Sequence, residues 1–222
     1  GWLAATKAAL AARENVTILP RTTAFGYYHQ NFLGLAERLS DHLAHRQGPR
    51  ERLWRVRANQ VVLATGAVER PLVFAGNDRP GIMLAGAART YLNRYGVAVG
   101  HRACVVTSHD SAYQAAFDLA CAGVAIGAII DVRREVPNPL LDQAARLGIE
   151  VLAGHTVTRA RGRLRVSGAT VARVESGGSV GPARDIPCDA LLMSGGWTPS
   201  VHLFSQSRGT LSWRDDLGSY VP

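Results

Sequence analysis

The segment from Arg102 to Gly154 limits what this chain can fold into more than any other. RACVVTS is a short apolar run, and DSAYQAAFDLACAG follows it with helical spacing and a stop at Gly123. VAIGAIIDVR is a second apolar run that reaches an acid at Asp131; NPLLDQAARLG is again helical with a Gly stop, and IEVLAG is a third run. Short apolar runs bounded by turn residues read as buried strands, and strands alternating with helices make parallel sheets through right-handed crossovers. The order β-α-β-α-β is therefore one half of a doubly wound α/β fold.

Two more apolar runs, each ending at glycine, bracket this unit: VVLATG at Val61–Gly66 and DALLMSGG, which stops at Gly195 and Gly196. Ahead of the first, residues 2–13 are Ala-rich and helix-prone, VTILP reads as a strand stopped by Pro20, and RTTAFGYY reads as another strand. Residues 31–43 have apolar spacing that fits a helix, while Gly34 also permits a strand. A polar turn at 44–51 leads into RLWRVR, an alternating strand, and then a buried strand at Val61–Ala64. MLAGAARTYLNRYG is a helix with Gly96 as its C-cap. Residues 155–187 alternate apolar and polar, with turn residues at Arg161-Gly162, Ser167-Gly168 and Gly177-Gly178, the pattern of an antiparallel meander. The expected organisation is a partial first nucleotide-type domain at 1–70, a connecting loop and helix at 71–100, a second such domain at 101–193 carrying the meander, and a return segment at 194–222.

Composition rules out several classes. Apolar residues make up 47% of the 222 and charged residues 19%, enough for a real core in a soluble protein. No apolar stretch reaches the length of a membrane span, and GWLAATKAAL lacks the basic start of a signal peptide. The formal net charge of +8 invites nucleic acid, but Lys7 is the only lysine and the arginines are scattered rather than blocked. Such charge supplies solubility and steering without making a site, so no nucleic acid and no membrane partner is expected. Cys104, Cys121 and Cys188 are far apart and form no C-x-x-C pair; they read as buried, reduced thiols of a cytoplasmic protein.

The chemistry rests on where the strands stop. A dinucleotide turn has the form G-x-G-x-x-G, with an acid about twenty residues on that accepts from a ribose hydroxyl. Here the turn reads Thr107-Ser108-His109-Asp110-Ser111-Ala112 and the acid is Asp131. The acid is in place and favours NAD over NADP; the glycine that lets backbone approach a pyrophosphate is replaced by His109. Two readings stay open. Either the turn has lost its ligand, or Ser108, Ser111 and the helix N-terminus donate to a phosphate with His109 closing the site.

An A-T-G strand, then β-α-β with a terminal acid, then G-G-x-x-P follows the layout of two-dinucleotide-domain flavoproteins of the disulfide reductase type. Within that group, RTTAFGYYHQN, ERPLVFAGNDRPGIM, DSAYQAAFDLACAG and GGWTPSVHLFSQSRG resemble the alpha subunits of heterotetrameric sarcosine oxidases over essentially the whole chain. Alpha subunits of opine, proline and cyanide-forming amine dehydrogenases are similar relatives. The resemblance implies an α/β, two-dinucleotide-binding-domain fold and a complex with beta, gamma and delta subunits. It implies oxidative demethylation of a small amine, sarcosine, to glycine, with peroxide formed and the one-carbon unit passed to tetrahydrofolate. It implies NAD in this subunit, FAD and the amine-oxidising site in the beta subunit, and FMN between the two. It also implies that Thr23 and Ala24 lie against the adenine, that Thr65 and Gly66 approach the dinucleotide, and that Gly195, Gly196 and the return segment through Leu211 cover it. By this pattern the first domain's own glycine-rich turn is expected before Gly1 and a folate domain after Pro222, so the chain reads as an interior stretch without a catalytic residue of its own.

Other candidates are weaker. No histidine pairs with a nucleophile and an acid, and no H-x-x-x-H metal pair is present. His202 reads as structural and Trp197 as core. In GNDRPG, Arg79 either binds an anion or pairs with Asp78 in a structural turn, and the turn is preferred; Glu69 and Arg70 read as interdomain contacts.

Overall fold

A computed structural model describes residues 1–45 and 47–222, so that Arg46, within the polar turn, lies outside the described residues. In chain order the elements are α1 (Trp2–Ala11), β1 (Thr22–Tyr28), β2 (Phe32–Arg38), β3 (Glu51–Arg57), β4 (Ala67–Glu69), β5 (Ile82–Leu84), α2 (Ala85–Tyr95), β6 (Arg102–Thr107) and α3 (Ser111–Cys121). They continue as β7 (Ala125–Asp131), α4 (Asn138–Arg146), β8 (Val151–Ala153), β9 (His155–Arg161), β10 (Gly168–Val174), β11 (Val180–Ile186), β12 (Ala190–Ser194), β13 (Trp197–Pro199), α5 (His202–Gln206), β14 (Ser212–Arg214) and β15 (Ser219–Val221). The chain divides into two compact units, one of residues 1–66 and 199–222, the other of residues 67–198.

The 67–198 unit is built on a five-stranded sheet of order β5-β12-β6-β7-β8, parallel throughout. Successive side chains on a strand face opposite sides, and here both sides are dry. Val105, Ile129 and Leu192 face α2, α3 and α4, where they meet Ala88, Ala116, Phe117 and Ala144. Cys104, Val106, Ile130 and Leu191 face the other way, onto Val157, Ala169 and Val171 of the meander. The meander is the antiparallel sheet β11-β10-β9. This gives three layers: helices, parallel sheet, antiparallel sheet. Gly96, Gly123 and Gly148, all left-handed, close the three helices.

Polar residues fix the corners of this unit. Glu69, buried, accepts from the Gly86 backbone N–H at 2.9 Å at the start of α2, where the helix leaves its amides unpaired. It is a helix cap within the unit, not the interdomain contact its sequence position suggests. Asp118 joins α2 to α3 through Arg89 at 2.6 Å and Asn93 at 2.9 Å. Arg79 does not pair with Asp78; its guanidinium donates to the Ala160 carbonyl at 2.5 Å and ties the GNDRPG loop to β9. Phe74, from the same loop, is buried against the meander.

In the other unit, β1, β2 and β3 form an antiparallel sheet. Residues 32–38 of the ambiguous stretch are thus strand, with Gly34 opposite Gly26 and an aromatic ring over each glycine: Phe25 over Gly34 and Tyr28 over Gly26. A short hairpin, β14-β15, ends the chain.

Four further expectations fail. VTILP is not a strand, and neither is Val61–Ala64, where Val62 is 91% exposed. Both have strand composition, but a strand needs a neighbour for its N–H and C=O groups, and among the described residues neither finds one. Met83 and Leu84 start no helix; with Ile82 they form the edge strand β5 beside β12. Cys121 is exposed at the end of α3, unlike Cys104 and Cys188.

Candidate functional site

In the unit of residues 1–66 and 199–222, a cavity of about 500 Å³ lies between the Leu63–Gly66 segment and the segment that begins at Pro199. Leu63, Ala64, Thr65 and Gly66 form one side, and Ser200 and Phe204 the other. Thr65 Oγ1 donates to the Ser200 carbonyl at 2.7 Å, and the Ser200 N–H donates to the Gly66 carbonyl at 2.9 Å. These two bonds tie the walls together. Gly66 is left-handed, with φ +69°, and a Cβ there would meet nothing within 4 Å. It is a backbone position with open space beside it, which is what close approach of a ligand to the main chain requires. The volume falls in the range of small-molecule and cofactor sites. The residues fit a dinucleotide segment lying along the main chain, and Thr65 acts by holding the return segment rather than by offering a free hydroxyl.

The remaining expected residues of this unit lie on its strands and return segment. Thr23 is exposed and Ala24 half-buried on β1, ahead of a bulge between Ala24 and Gly26. Leu211 is half-buried just before β14. None of the three lines the cavity. Tyr27 and Phe204, absent from the sequence-based set, do line it.

The other unit holds the turn after β6. Its strand ends, Thr107 and Ser194, are hydrogen-bond neighbours in register and fully buried. Ligands of open α/β sheets bind outside these carboxyl ends, where the strand order reverses, here between β6 and β12. The turn is closed on itself. Thr107 Oγ1 accepts from His109 N–H at 2.9 Å and donates to the His109 carbonyl at 2.9 Å. The Ser111 N–H donates to His109 Nδ1 at 3.2 Å, so this nitrogen is an acceptor and the ring caps the first turn of α3. Ser111 Oγ lies 3.1 Å from the same nitrogen and accepts from Trp197 Nε1 at 2.9 Å. Trp197, 37% exposed, is therefore a polar strap across the strand ends rather than a core residue. In the phosphate reading of this turn Ser111 would be a donor to the ligand; here its N–H and hydroxyl are both engaged by protein groups, His109 Nδ1 and Trp197 Nε1. Ser108 uses its N–H on the Ser194 carbonyl at 3.2 Å.

Asp131, expected to accept from a ribose hydroxyl, is engaged by protein groups instead. It is fully buried, and both its oxygens are taken. Tyr113 Oη donates to Oδ2 at 2.8 Å; Arg133 donates from its backbone N–H to Oδ1 at 2.9 Å and from Nη2 to Oδ2 at 2.8 Å. Arg133 also reaches Asp110 at 2.6 Å. A ribose hydroxyl finds no free acceptor there. Burial, and next the bond to Asp131, push the Tyr113 phenol well above its usual range and keep it a donor. Arg133, two residues beyond the acid, was a readable local partner; Tyr113, eighteen residues before it, was not.

Gly195 and Gly196 are explained by backbone pairing. The Gly195 N–H donates to the Arg70 carbonyl at 2.7 Å, and the Arg70 N–H to the Gly196 carbonyl at 2.9 Å. A Cβ on Gly195 would come within 3.0 Å of Leu72, and Gly196 has φ +97°. Among the described residues no group of three or more His, Cys, Asp or Glu could hold a metal ion, and no helix is long and apolar enough to cross a membrane.

No family model matches the chain. The sarcosine oxidase alpha subunit of Corynebacterium sp. (strain U-96) is 43% identical over the full chain, and that of Rhizobium meliloti (strain 1021) 40% identical over 96% of it. The chain spans 23% and 21% of the length of these two relatives. An opine oxidase subunit of Agrobacterium tumefaciens (strain Ach5) is 29% identical over 75% of the chain and 36% of its own length. Among solved structures, T. acidophilum thioredoxin reductase superposes with a TM-score of 0.67 at 15% identity, over 96% of this chain and 64% of that one. L-proline dehydrogenase from P. horikoshii gives 0.58 at 22% identity, over 95% and 34%. The fold is thus the Rossmann-like α/β fold of disulfide-reductase-like flavoproteins, and along its whole length the chain is similar to a stretch of the sarcosine oxidase alpha subunit.

Proposed function

We propose that this chain is the nucleotide-binding region of an oxidoreductase subunit of the sarcosine oxidase alpha type, and that NAD lies in the cavity between Leu63–Gly66 and the Pro199–Phe204 segment. The observation that carries the reading is that cavity, with the open backbone at Gly66 and the Thr65–Ser200 clasp, in a chain 43% identical to such a subunit. Thr65 positions the far wall, and Gly66 admits the ligand to the main chain. NAD, where it is redox-active, supplies hydride transfer at its nicotinamide ring. Thr23, Ala24, Leu211, Gly195 and Gly196 act as supports of the fold around the site rather than as ligands. Asp131, His109 and Ser111 close the second nucleotide turn, so one dinucleotide per chain is the expected stoichiometry.

The complete reaction belongs to an assembly. The working reading is a cytoplasmic hetero-oligomer with beta, gamma and delta subunits, using FAD, FMN and tetrahydrofolate, that demethylates sarcosine to glycine and releases peroxide. This chain alone turns over no amine. Similarity to an opine oxidase subunit makes an opine-type amine the second substrate reading. The test is to express the complete reading frame with its neighbouring genes, acid-extract the purified complex, and measure NAD, flavin and sarcosine-dependent peroxide. Absence of both cofactors and of peroxide sinks the proposal; activity on an opine or on proline in place of sarcosine moves it to the second reading.

A further inference from the structure

A second cavity, of about 430 Å³, opens in the same unit where the β1–β2 connection meets the end of α5. It shares Tyr27 and Ser207 with the cavity described above and is otherwise separate. Its walls combine three properties. First, the aromatic side is built by the sequence of the sheet. Gly26 and Gly34 face each other across β1 and β2, and the absence of side chains there lets Tyr28 and Phe25 lie over the backbone. Both rings stay half exposed. Second, part of the wall is locked. Tyr27 Oη donates to Asn31 Oδ1 at 2.6 Å, Asn31 Nδ2 donates to the Asn59 carbonyl at 3.0 Å, and the Tyr27 N–H donates to Gln206 Oε1 at 2.9 Å. Third, the cationic head of Arg208 makes no hydrogen bond or ion pair among the described residues, and no carboxylate lines the cavity. Among the described residues, four non-glycine residues have positive φ, and three of them, Gln30, Asn31 and Arg208, are at this cavity. Strain of that kind persists where the surrounding structure holds it and collects at ligand sites.

Exposed aromatic faces bind planar rings, and an uncompensated guanidinium binds carboxylate or phosphate through paired N–H groups. We infer that this cavity is a binding site for a small planar anion, an aromatic ring bearing a carboxylate or a phosphate, distinct from the proposed dinucleotide cavity next to it.

The experiment is a titration of the full chain, followed by NMR at the amides of residues 27–31 and 206–208. The probes are benzoate, phenyl phosphate, benzamide and inorganic phosphate. Benzoate or phenyl phosphate is expected to bind about tenfold tighter than either benzamide or inorganic phosphate, the margin of one charge-assisted contact added to one ring contact. Whichever of the two anions binds better identifies the head group. Arg208→Asn, which keeps a residue tolerant of positive φ, should erase the preference over benzamide. Gly26→Ala places a Cβ 2.5 Å from the Tyr28 hydroxyl and 2.6 Å from its ring; the flexible ring moves, and the preference over inorganic phosphate falls while the fold is retained. No shift at these amides, equal binding of all four probes, or an Arg208→Asn variant that binds as the parent does overturns the proposal. So does competitive displacement of the anion by NAD, which would make the cavity an arm of the dinucleotide site.

Discussion

Tyr113→Phe separates a structural Asp131 from a ligand-binding one. The substitution removes one hydroxyl from a fully buried ring and opens almost no volume. It deletes the 2.8 Å bond to Asp131 Oδ2 and leaves the bonds from Arg133 in place. A hydrogen bond to a charged group contributes about 1.5–3 kcal/mol, and with Arg133 still engaged a loss of about 2 kcal/mol is expected. For a chain of this size that lowers Tm by roughly 4–8 °C. In urea it moves the midpoint by roughly 1 M, with the slope unchanged because no additional surface is exposed. Asp131→Asn should cost more, about 3 kcal/mol, because the guanidinium loses its buried partner. A second readout follows from the phenol. Its folded pKa is raised, so its contribution is complete below the unfolded value of about 10 and is lost as pH rises beyond it. The parent should therefore lose stability in alkali, and Tyr113→Phe should lose that part of the dependence. A stability change below about 0.5 kcal/mol, the range of a neutral surface substitution, combined with weaker NAD binding, would refute the structural assignment and restore Asp131 as a ribose ligand.

Three further outcomes follow. Asp118 and Asp189 sit below the usual carboxylate range: burial alone would raise both, but Arg89, Asn93 and Gln114 outweigh it at Asp118, and the Arg102 and His101 amides outweigh it at Asp189. Their stabilisation is complete above the unfolded value of about 3.9 and disappears as pH falls through the lower folded values; Asp189→Asn should flatten the acid limb of a urea-midpoint profile, and an unchanged limb contradicts the assignment. Gly162→Ala combines a φ of +120° with a Cβ driven into the Arg165 carbonyl, so it should cost more than about 2 kcal/mol by thermal melting, and a neutral result contradicts this geometry of the β9–β10 turn. Only Cys121 should react with a thiol reagent in the native chain: Cys104 and Cys188 are free and buried, and the Cys188 thiol, hydrogen-bonded to the Cys104 sulfur and desolvated, is held above the usual thiol range. Reaction of two or three thiols before unfolding contradicts that placement.

The elements that were legible in the sequence are those whose hydrogen-bond partners are supplied by the pattern itself. RACVVTS, VAIGAIID and ALLMS are apolar on both faces, and the fold puts helices on one side and the meander on the other. The meander was legible because its three strands pair with one another. VVLA has the same composition, yet it is neither strand nor buried, since strand formation depends on a neighbour that composition does not specify. The same limit applies at Gly34. Helical and strand spacing fit equally well until Gly26 is seen opposite it, with the Phe25 and Tyr28 rings over the pair.

Asp131 shows why a site is harder to read than a fold. A dinucleotide fold requires an apolar strand that ends beside the turn, and any residue that ends it in an acid completes the motif. Whether that acid can accept from a ligand depends on its other neighbours. Here Arg133 lies two residues on, and Tyr113 lies one turn into α3. Tyr113 occupies the second residue after the position where a glycine-rich turn would give way to helix, and a smaller residue there would leave Oδ2 without that donor. His109 acts in the same sense on the phosphate side, supplying from a side chain the acceptor that a pyrophosphate otherwise provides to the helix N-terminus. Each of these two side chains satisfies a polar group that a ligand could have satisfied, so the two act in the same direction: with both in place, the polar groups of the turn have partners within the protein. The Leu63–Gly66 segment has the opposite character. Its glycine faces open space, and the Thr65 hydroxyl bond to the Ser200 carbonyl closes the cavity wall without filling it. Self-satisfied polar groups at the turn after β6 and open backbone at Gly66 are the physical grounds on which the dinucleotide is proposed to lie beside Gly66 rather than beside Ser108.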